Sequence, residues 1–521
     1  MTRIAASRAA LALLFLTLAT AVPIAAQNLA SFEAKTKVHV LQNGWTFIIV
    51  ERPAAPVFSF ATVADVGSAQ EVPGITGLAH MFEHMAFKGT PNLGTTDYEG
   101  EKKALDALEA AYQAYQAARL SPHPDPQKTQ GLLADFKAKQ QTAGSFVVKG
   151  AFDDVLTREG GVGTNATTSA DETRYFYSLP ANKIELFAYL ESERFYHPVF
   201  REFYEERDVV MEERRMSTES QPIGRLVEQF TSAAFSAHPY HQPTIGYTSD
   251  LQSISITDAE RFFRTWYVPS SLTTAIVGDV HAETLIPLLD KYFGRIPARP
   301  APPPLRTAEP PQVAEKTVVL DDPSQPMYLE AYHKPASTHP DQAVYDAIDD
   351  ILSHGRTSRL YRTLVRDKKL AVEVESFSGY PGEKYPNLWA ILAVPAFGVT
   401  NQQVQAALRE ELEKLKAQDA TDEEVARFKT RSKARLIRSL SNNQGLANQL
   451  AEYQRLFGDW RELFRDIDKL DKVTKADIRR VAAETFRSEN RTVAMLVNHA
   501  ANNPANKTGD APQPATPKGG N

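Results

Sequence analysis

Two hydrophobic periods alternate along this chain, and they do so in the same order twice. Val38-His39-Val40-Leu41 and Trp45-Thr46-Phe47-Ile48-Ile49-Val50 are short runs rich in β-branched and aromatic residues. Asn43-Gly44 between them is the strongest short turn signal, so the pattern predicts a hairpin. Phe58 to Val66 predicts a third strand, and helical spacing follows at about 75–88, 183–196 and 201–218. The second half repeats the order. Strands are predicted near 316–333, a helix at 340–353, strands near 371–396, and helices at 401–417, 421–437 and 443–456. The repetition predicts two α+β domains, each a sheet covered by helices.

The length of 521 residues agrees, because it exceeds what one hydrophobic core supports. Residues 295–312 contain seven prolines and read as a semi-rigid linker. The expected domains are therefore 27–294 and 313–499. Before them, Arg3 and Arg8 precede an apolar run from Ala9 to Val22 that is too short to span a bilayer. With Ile24-Ala25-Ala26 as a small-residue cleavage site, residues 1–26 read as a signal peptide and predict export, most simply to a bacterial periplasm. Residues 500–521 have little apolar content and are expected to be a disordered tail. Residues 101–119 and 127–141 are rich in helix formers, with a proline-rich break at 121–126, and predict a helical hairpin.

The chemistry concentrates in Gly77-Leu78-Ala79-His80-Met81-Phe82-Glu83-His84. On a helix, H-x-x-E-H sets two imidazoles one turn apart on one face, the arrangement one Zn²⁺ takes from nitrogen ligands at about 2.0–2.1 Å. Glu83 points to the same side and is placed to take a proton from water activated by the metal. Catalytic zinc needs a third protein ligand. The acidic helix after residue 204 offers two pairs at a spacing of seven, Glu206 with Glu213 and Glu205 with Glu212, and spacing does not choose between them. The chain has no cysteine, which excludes thiolate ligands, cysteine nucleophiles and disulfides. The formal charge of −6 becomes about −8 once Arg3 and Arg8 leave with the leader, and no basic patch marks a nucleic-acid partner. No other segment is apolar enough to span a membrane.

These residues resemble the M16 metallopeptidases, the group of pitrilysin, insulin-degrading enzyme and the mitochondrial processing peptidase. Gly77 through Thr90 resembles the family's first zinc helix, and Glu206-Arg207-Asp208-Val209-Val210 through Glu213 resembles its E-R-x-x-V-x-x-E helix. The resemblance implies Glu213 as the third ligand and Glu206 as the carboxylate behind the ligands, tuning the metal from outside its first shell. Gly160-Gly161, Asn165-Ala166-Thr167-Thr168, Thr173 and Tyr175 resemble the substrate-binding edge strand. His238-Pro239-Tyr240, Pro243, Gly246 and Tyr267-Val268-Pro269 resemble the end of the zinc-bearing half. The implied fold is two homologous domains closed as a clamshell around a chamber. The interval between His84 and Glu213 is longer than the family's by about the length of a helical hairpin, which marks 101–150 as an insertion.

The second half has no H-x-x-E-H, so one zinc per chain is expected. In the family this half supplies an arginine and a tyrosine near the substrate. Arg366 stands at the arginine position, but the tyrosine position falls on Val372, or on Glu373 with a one-residue gap. Neither can donate a hydrogen bond to a developing oxyanion. Tyr380 is a substitute from the same chain; otherwise an M16-like partner subunit, in a heterodimer or a homodimer, would complete the site. The expected function is a zinc metalloendopeptidase acting on peptides or unfolded segments, with His80, His84 and Glu213 on the metal. Glu83 is the base, supported by Glu206, and Asn165, Ala166, Thr167 and Arg366 contact substrate. The alternative is a catalytically incomplete subunit that binds peptides or serves assembly.

Overall fold

Residues 29–498 are described by the computed structural model, so the expected leader and tail lie outside the described residues. The predicted hairpin forms: β1 (Thr36–Val40) and β2 (Thr46–Glu51) pair antiparallel, with Val40 opposite Thr46. With β3 (Val57–Ala64), β4 (Val162–Thr168), β5 (Thr173–Pro180) and β6 (Leu272–Gly278) they make a six-stranded sheet in the order β1-β2-β6-β3-β5-β4. The second half forms β7 (Lys316–Asp321), β8 (Met327–Lys334), β9 (Ala371–Tyr380), β10 (Asn387–Pro395) and β11 (Arg491–Val497), in the order β7-β11-β8-β10-β9.

The two sheets share one topology. Omitting β1, the strands of each half appear in the same spatial order, and each sheet has a single parallel pair, β2 with β6 and β7 with β11. The molecule is therefore an α+β fold of two homologous units, and β4 and β9 are equivalent outer strands. The inner strands of both sheets are buried on both faces, as β6 and β11 are, and β2 accordingly reads as a near-continuous apolar run.

What covers the faces is the main departure from the sequence reading. One face of each sheet carries helices of its own half. Phe47, Ile49, Phe58 and Phe60 pack in the larger core under α1 (Leu78–Met85), with Phe187 and Leu190 of the helix Ile184–Tyr196. The other faces are exchanged. α5 (Pro222–Ala234), in the first half, sets Leu226, Phe230 and Ala234 against Leu329, Ala331, Ala494 and Leu496 of the second sheet. α6 (Asn443–Phe457), in the second half, sets Leu446, Ala447, Leu450 and Ala451 against Ile48, Ala61, Ala275 and Val277 of the first. The helix expected at 443–456 thus exists, but it serves the core of the other half. The proline-rich segment is fastened too: Glu309 accepts hydrogen bonds from the amides of Ser236, Ala237 and His238.

The hairpin forms as α2 (Tyr98–Arg119) and α3 (Pro126–Gly144), with Asp125 capping the second helix. Its root is bolted down by Arg201, whose guanidinium meets the buried Glu101 carboxylate at 2.8 and 3.0 Å and also three carbonyls of residues 88–93. Tyr112 packs tilted and Phe136 edge-on against Tyr204 of α4 (Phe203–Arg214), the acidic helix.

Exchanged cover makes the inter-half surface part of the core. Leu450→Ala should therefore cost about 2–5 kcal/mol in denaturant unfolding, as for any buried leucine. A loss under about 1 kcal/mol would show that α6 is peripheral.

Candidate metal centre

α1 owes its position to its N-terminus. Gly77 at its start has φ +92 and Gly246, opposite, has φ +85. A Cβ on Gly246 would meet the Thr76 carbonyl at 2.5 Å, and one on Gly77 would meet the Ile245 carbonyl at 2.8 Å, so only glycine lets these backbones touch. Two carboxylates then take the free amides at the helix start. Glu71 accepts from Gly77 and Ala79 at 2.8 and 2.7 Å, and Asp250 accepts from the Gly74 and Thr76 amides and the Thr76 hydroxyl. The same segment holds α4. Arg214, next to Glu213, donates to the Gly246 carbonyl and the Thr248 hydroxyl and grips Glu228. Residues 246–250 thus lock both helices to one support.

So held, α1 and α4 bring three donors together. His80 Nε2 lies 3.8 Å and His84 Nε2 3.7 Å from Glu213 Oε2. These gaps are too long for hydrogen bonds and suit atoms sharing an ion at about 2.1 Å each. Among the described residues, His80, His84 and Glu213 are the group whose donor atoms converge in this way. The protonation of His80 fits a metal. His80 Nδ1 is sealed in the protein without a hydrogen-bond partner, so Nε2 is the nitrogen that faces the cluster. Burial, reinforced by the charge of His84, pulls His80 down to about 4, so its lone pair is free at neutral pH. His84 Nδ1 bonds Glu206 Oε2 at 3.2 Å, which directs Nε2 towards Glu213. Burial lowers His84, but Glu206, Glu213 and Glu83 outweigh it and raise it above its ordinary value. Burial alone would raise Glu206; the hydrogen bonds and charges of His84 and Lys88 hold it at about 2. The residues present fit zinc.

Glu83 stands on the same face of α1. Its Oε2 accepts a hydrogen bond of 2.5 Å from the Thr168 hydroxyl at the end of β4. Burial raises the Glu83 carboxyl above its ordinary value, against the pull of Thr168 and His84. A cavity of about 360 Å³ opens beside Glu83 and His84, walled by Asn165 and Ala166 of β4, by Phe87 and Lys88, and by Val147 and Val148 where the hairpin returns. Thr167 lies exposed on β4 opposite Arg174. β4 is the outermost strand of its sheet, so one edge of its backbone is open.

The structure chooses Glu206 and Glu213 over Glu205 and Glu212; Glu212 is turned away and paired with Arg215. It does not bring Arg366 to the cluster, since that guanidinium is exposed and held by Asp367 at 2.6 and 3.0 Å. Val372 is 58% exposed and offers no donor. Tyr380 is no free substitute, because its hydroxyl is bonded to Thr231 of α5 at 2.9 Å and the ring packs in the inter-half core. Motif reading did not single out Glu71, Asp250 or Lys88, which pairs with both Glu202 and Glu206. Their partners are more than a hundred residues away or lie in turns without periodicity.

Residues 46–119 match the family described as insulinase (peptidase family M16), and residues 253–432 match the peptidase M16 inactive domain. The chain belongs to the M16 peptidase family. The zinc protease PqqE of Helicobacter pylori is 29% identical over 491 residues, covering 91% of this M16 chain and 95% of that protein. The probable mitochondrial-processing peptidase subunit beta of Schizosaccharomyces pombe is 24% identical, over 86% and 88% of the two chains. The crystal structure of a protease from Helicobacter pylori superposes with a TM-score of 0.74 at 27% identity, covering 89% of this chain and 99% of the other. The periplasmic protease PqqL from Escherichia coli shares the fold at 17% identity, with a TM-score of 0.66 over 94% of this chain and 51% of its own.

The ligand set is tested by zinc content after dialysis. His84→Ala and Glu213→Ala should fall to about a tenth of the wild-type zinc per chain or less, whereas Glu212→Ala and Glu205→Ala should keep it. Glu206→Gln should weaken zinc affinity about 10–100-fold, measured by competition with a chelating dye. Retained affinity would remove Glu206 from the centre.

Proposed function

We propose that this M16 protein is a zinc-dependent endopeptidase that cleaves peptides and unfolded segments. The observation that carries this reading is the convergence of three metal donors beside a carboxylate, Glu83, that faces an open strand edge. His80, His84 and Glu213 would hold zinc, which when bound would supply Lewis acidity, and Glu206 would keep His84 in the tautomer that leaves Nε2 free to ligate.

The chain's own residues supply the rest. An extended peptide adds to the free edge of β4, so that main-chain hydrogen bonds hold it whatever its sequence, with Asn165, Ala166 and Thr167 along its path. Folded proteins lack such a free segment, which selects flexible substrates. Glu83 takes the proton from the attacking water and delivers it to the leaving amine. Its raised pKa brings it nearer the range in which one group can do both. Arg366, exposed and paired with Asp367, is the second half's candidate contact to substrate.

A second reading is favoured by Val372 and by the engagement of Tyr380 with Thr231: the chain would be one subunit of a pair whose partner provides the missing donor. Relatives named as beta subunits of the mitochondrial-processing peptidase are compatible with that. Export to the periplasm is proposed from the leader sequence and from the fold shared with a periplasmic protease. No helix of the described residues is long and apolar enough to cross a membrane.

Glu83→Gln should keep zinc and lower cleavage of an unstructured fluorogenic peptide by about 10²–10⁴-fold; retained turnover would refute the assigned base. The purified single chain is the test of the subunit reading. Turnover that rises at least about tenfold on adding an M16-like chain encoded beside it would support a heterodimer, and full turnover alone would exclude the need.

A further inference from the structure

The second half lacks the expected donor, yet it touches the proposed active site in another way. β4 ends at Thr168, whose hydroxyl bonds Glu83. The next four residues, Ser169 to Glu172, turn the chain into β5 and close on themselves through Ser169 N to Glu172 O at 2.9 Å. The first half supports this turn through the amides of Ser68 and Ala69, which donate to the carbonyls of Ser169 and Ala170.

The second half holds the same turn by its acidic side chains. Asp171 is 2% exposed. Its Oδ2 accepts from the amides of Glu383 and Lys384 at 2.6 and 2.9 Å, and its Oδ1 from the Tyr240 hydroxyl at 2.6 Å. Gly382 completes the contact: a Cβ there would lie 2.5 Å from Asp171 Oδ2 and 2.6 Å from the Tyr240 hydroxyl. Glu172 meets Arg455 of α6 at 2.6 Å, and Lys384 reaches Asp65 at 2.6 Å. A buried carboxylate with three donors is a stiff joint, since each charge-assisted bond is about twice as strong as a neutral one.

We propose that Asp171 is a positioning residue: by fixing the β4–β5 turn to residues 382–384 of the second half, it sets the Thr168 hydroxyl against Glu83. Docking of the two halves then adds to the hold that Ser68, Ala69 and Tyr240 of the first half already have on the turn beside the base. This rests on the reading of Glu83 as the base. Only Ser169 and Ala170 lie between Thr168 and Asp171, so a shift of the turn is passed to the hydroxyl with little slack. Separation of the halves removes the two amides of residues 383 and 384 together. The second half thus contributes to the reaction by holding the edge strand.

The test combines turnover with amide exchange on the zinc-loaded full chain. Thr168→Val and Asp171→Asn should each lower kcat by about tenfold or more, with KM within about twofold and zinc content unchanged. Thr168→Ser, which keeps the hydroxyl, should restore most of the rate, and Gly382→Ala should behave like Asp171→Asn. The double variant Thr168→Val/Asp171→Asn should be no slower than the slower single variant, because both act on one path. Amide exchange over residues 162–172 should be about tenfold faster in Asp171→Asn and unchanged over 46–64. Independent, multiplying effects on kcat, or unaltered exchange in 162–172, would overturn the proposal. The exchange measurement needs no catalysis. Active wild type with unaltered exchange therefore refutes the clamp alone, and inactive wild type with faster exchange in Asp171→Asn refutes the single-chain peptidase while the clamp stands.

Discussion

The centre depends on one constraint: two imidazole nitrogens of one helix must face a carboxylate of another across less than 4 Å without bonding to it. Left to themselves these groups would separate or form hydrogen bonds. The scaffold prevents both. Glu71 and Asp250 fix the start of α1, Arg214 ties α4 to Gly246 and Thr248, and Glu206 takes the outer nitrogen of His84. Apart from the two Glu71 bonds, which span six and eight positions, each of these joins segments 32 or more positions apart. The close backbone approach at Gly77 and Gly246 makes that geometry possible, and any side chain there would wedge the helices apart.

The duplicated sheets follow the same logic at larger scale. Each sheet has two apolar faces, and helices of its own half cover only one of them. Exchange of α5 and α6 covers the others, so neither half is closed without its neighbour. The acidic turn after β4 sits where this exchange meets the half that carries His80, His84 and Glu213. Arg455, on the exchanged helix α6, pairs with Glu172 in that turn. Packing and chemistry are therefore linked through a few buried charges.

Much of this was legible beforehand because its signals are local. Short runs rich in β-branched and aromatic residues on either side of Asn43-Gly44 gave the β1–β2 hairpin, and helix formers broken at 121–126 gave α2 and α3 to within a few residues. The spacing of His80, Glu83 and His84 on one helical face needed no partner to be read. Glu213 was harder, since two acidic pairs share the same spacing, and family resemblance resolved it before the structure did. The destination of the helix at 443–457 was not legible: its amphipathic pattern states that one face is buried and not against which sheet. Tyr380 misled for a similar reason, because a tyrosine's sequence position does not reveal that its hydroxyl already serves Thr231.

The sequence by itself determined the placing of His80, Glu83 and His84 on one helical face and the order of elements in each half, because these depend on periodicity and on residue types at fixed short spacing. Only the tertiary structure decided which sheet each exchanged helix covers, which side chains hold the ligands, and that the second half grips the strand beside Glu83. Those contacts join residues hundreds of positions apart, as the Gln444 side chain of α6 and the Phe60 carbonyl of β3 are at a separation of 384. Their energies arise from burial and hydrogen-bond geometry that no local pattern encodes.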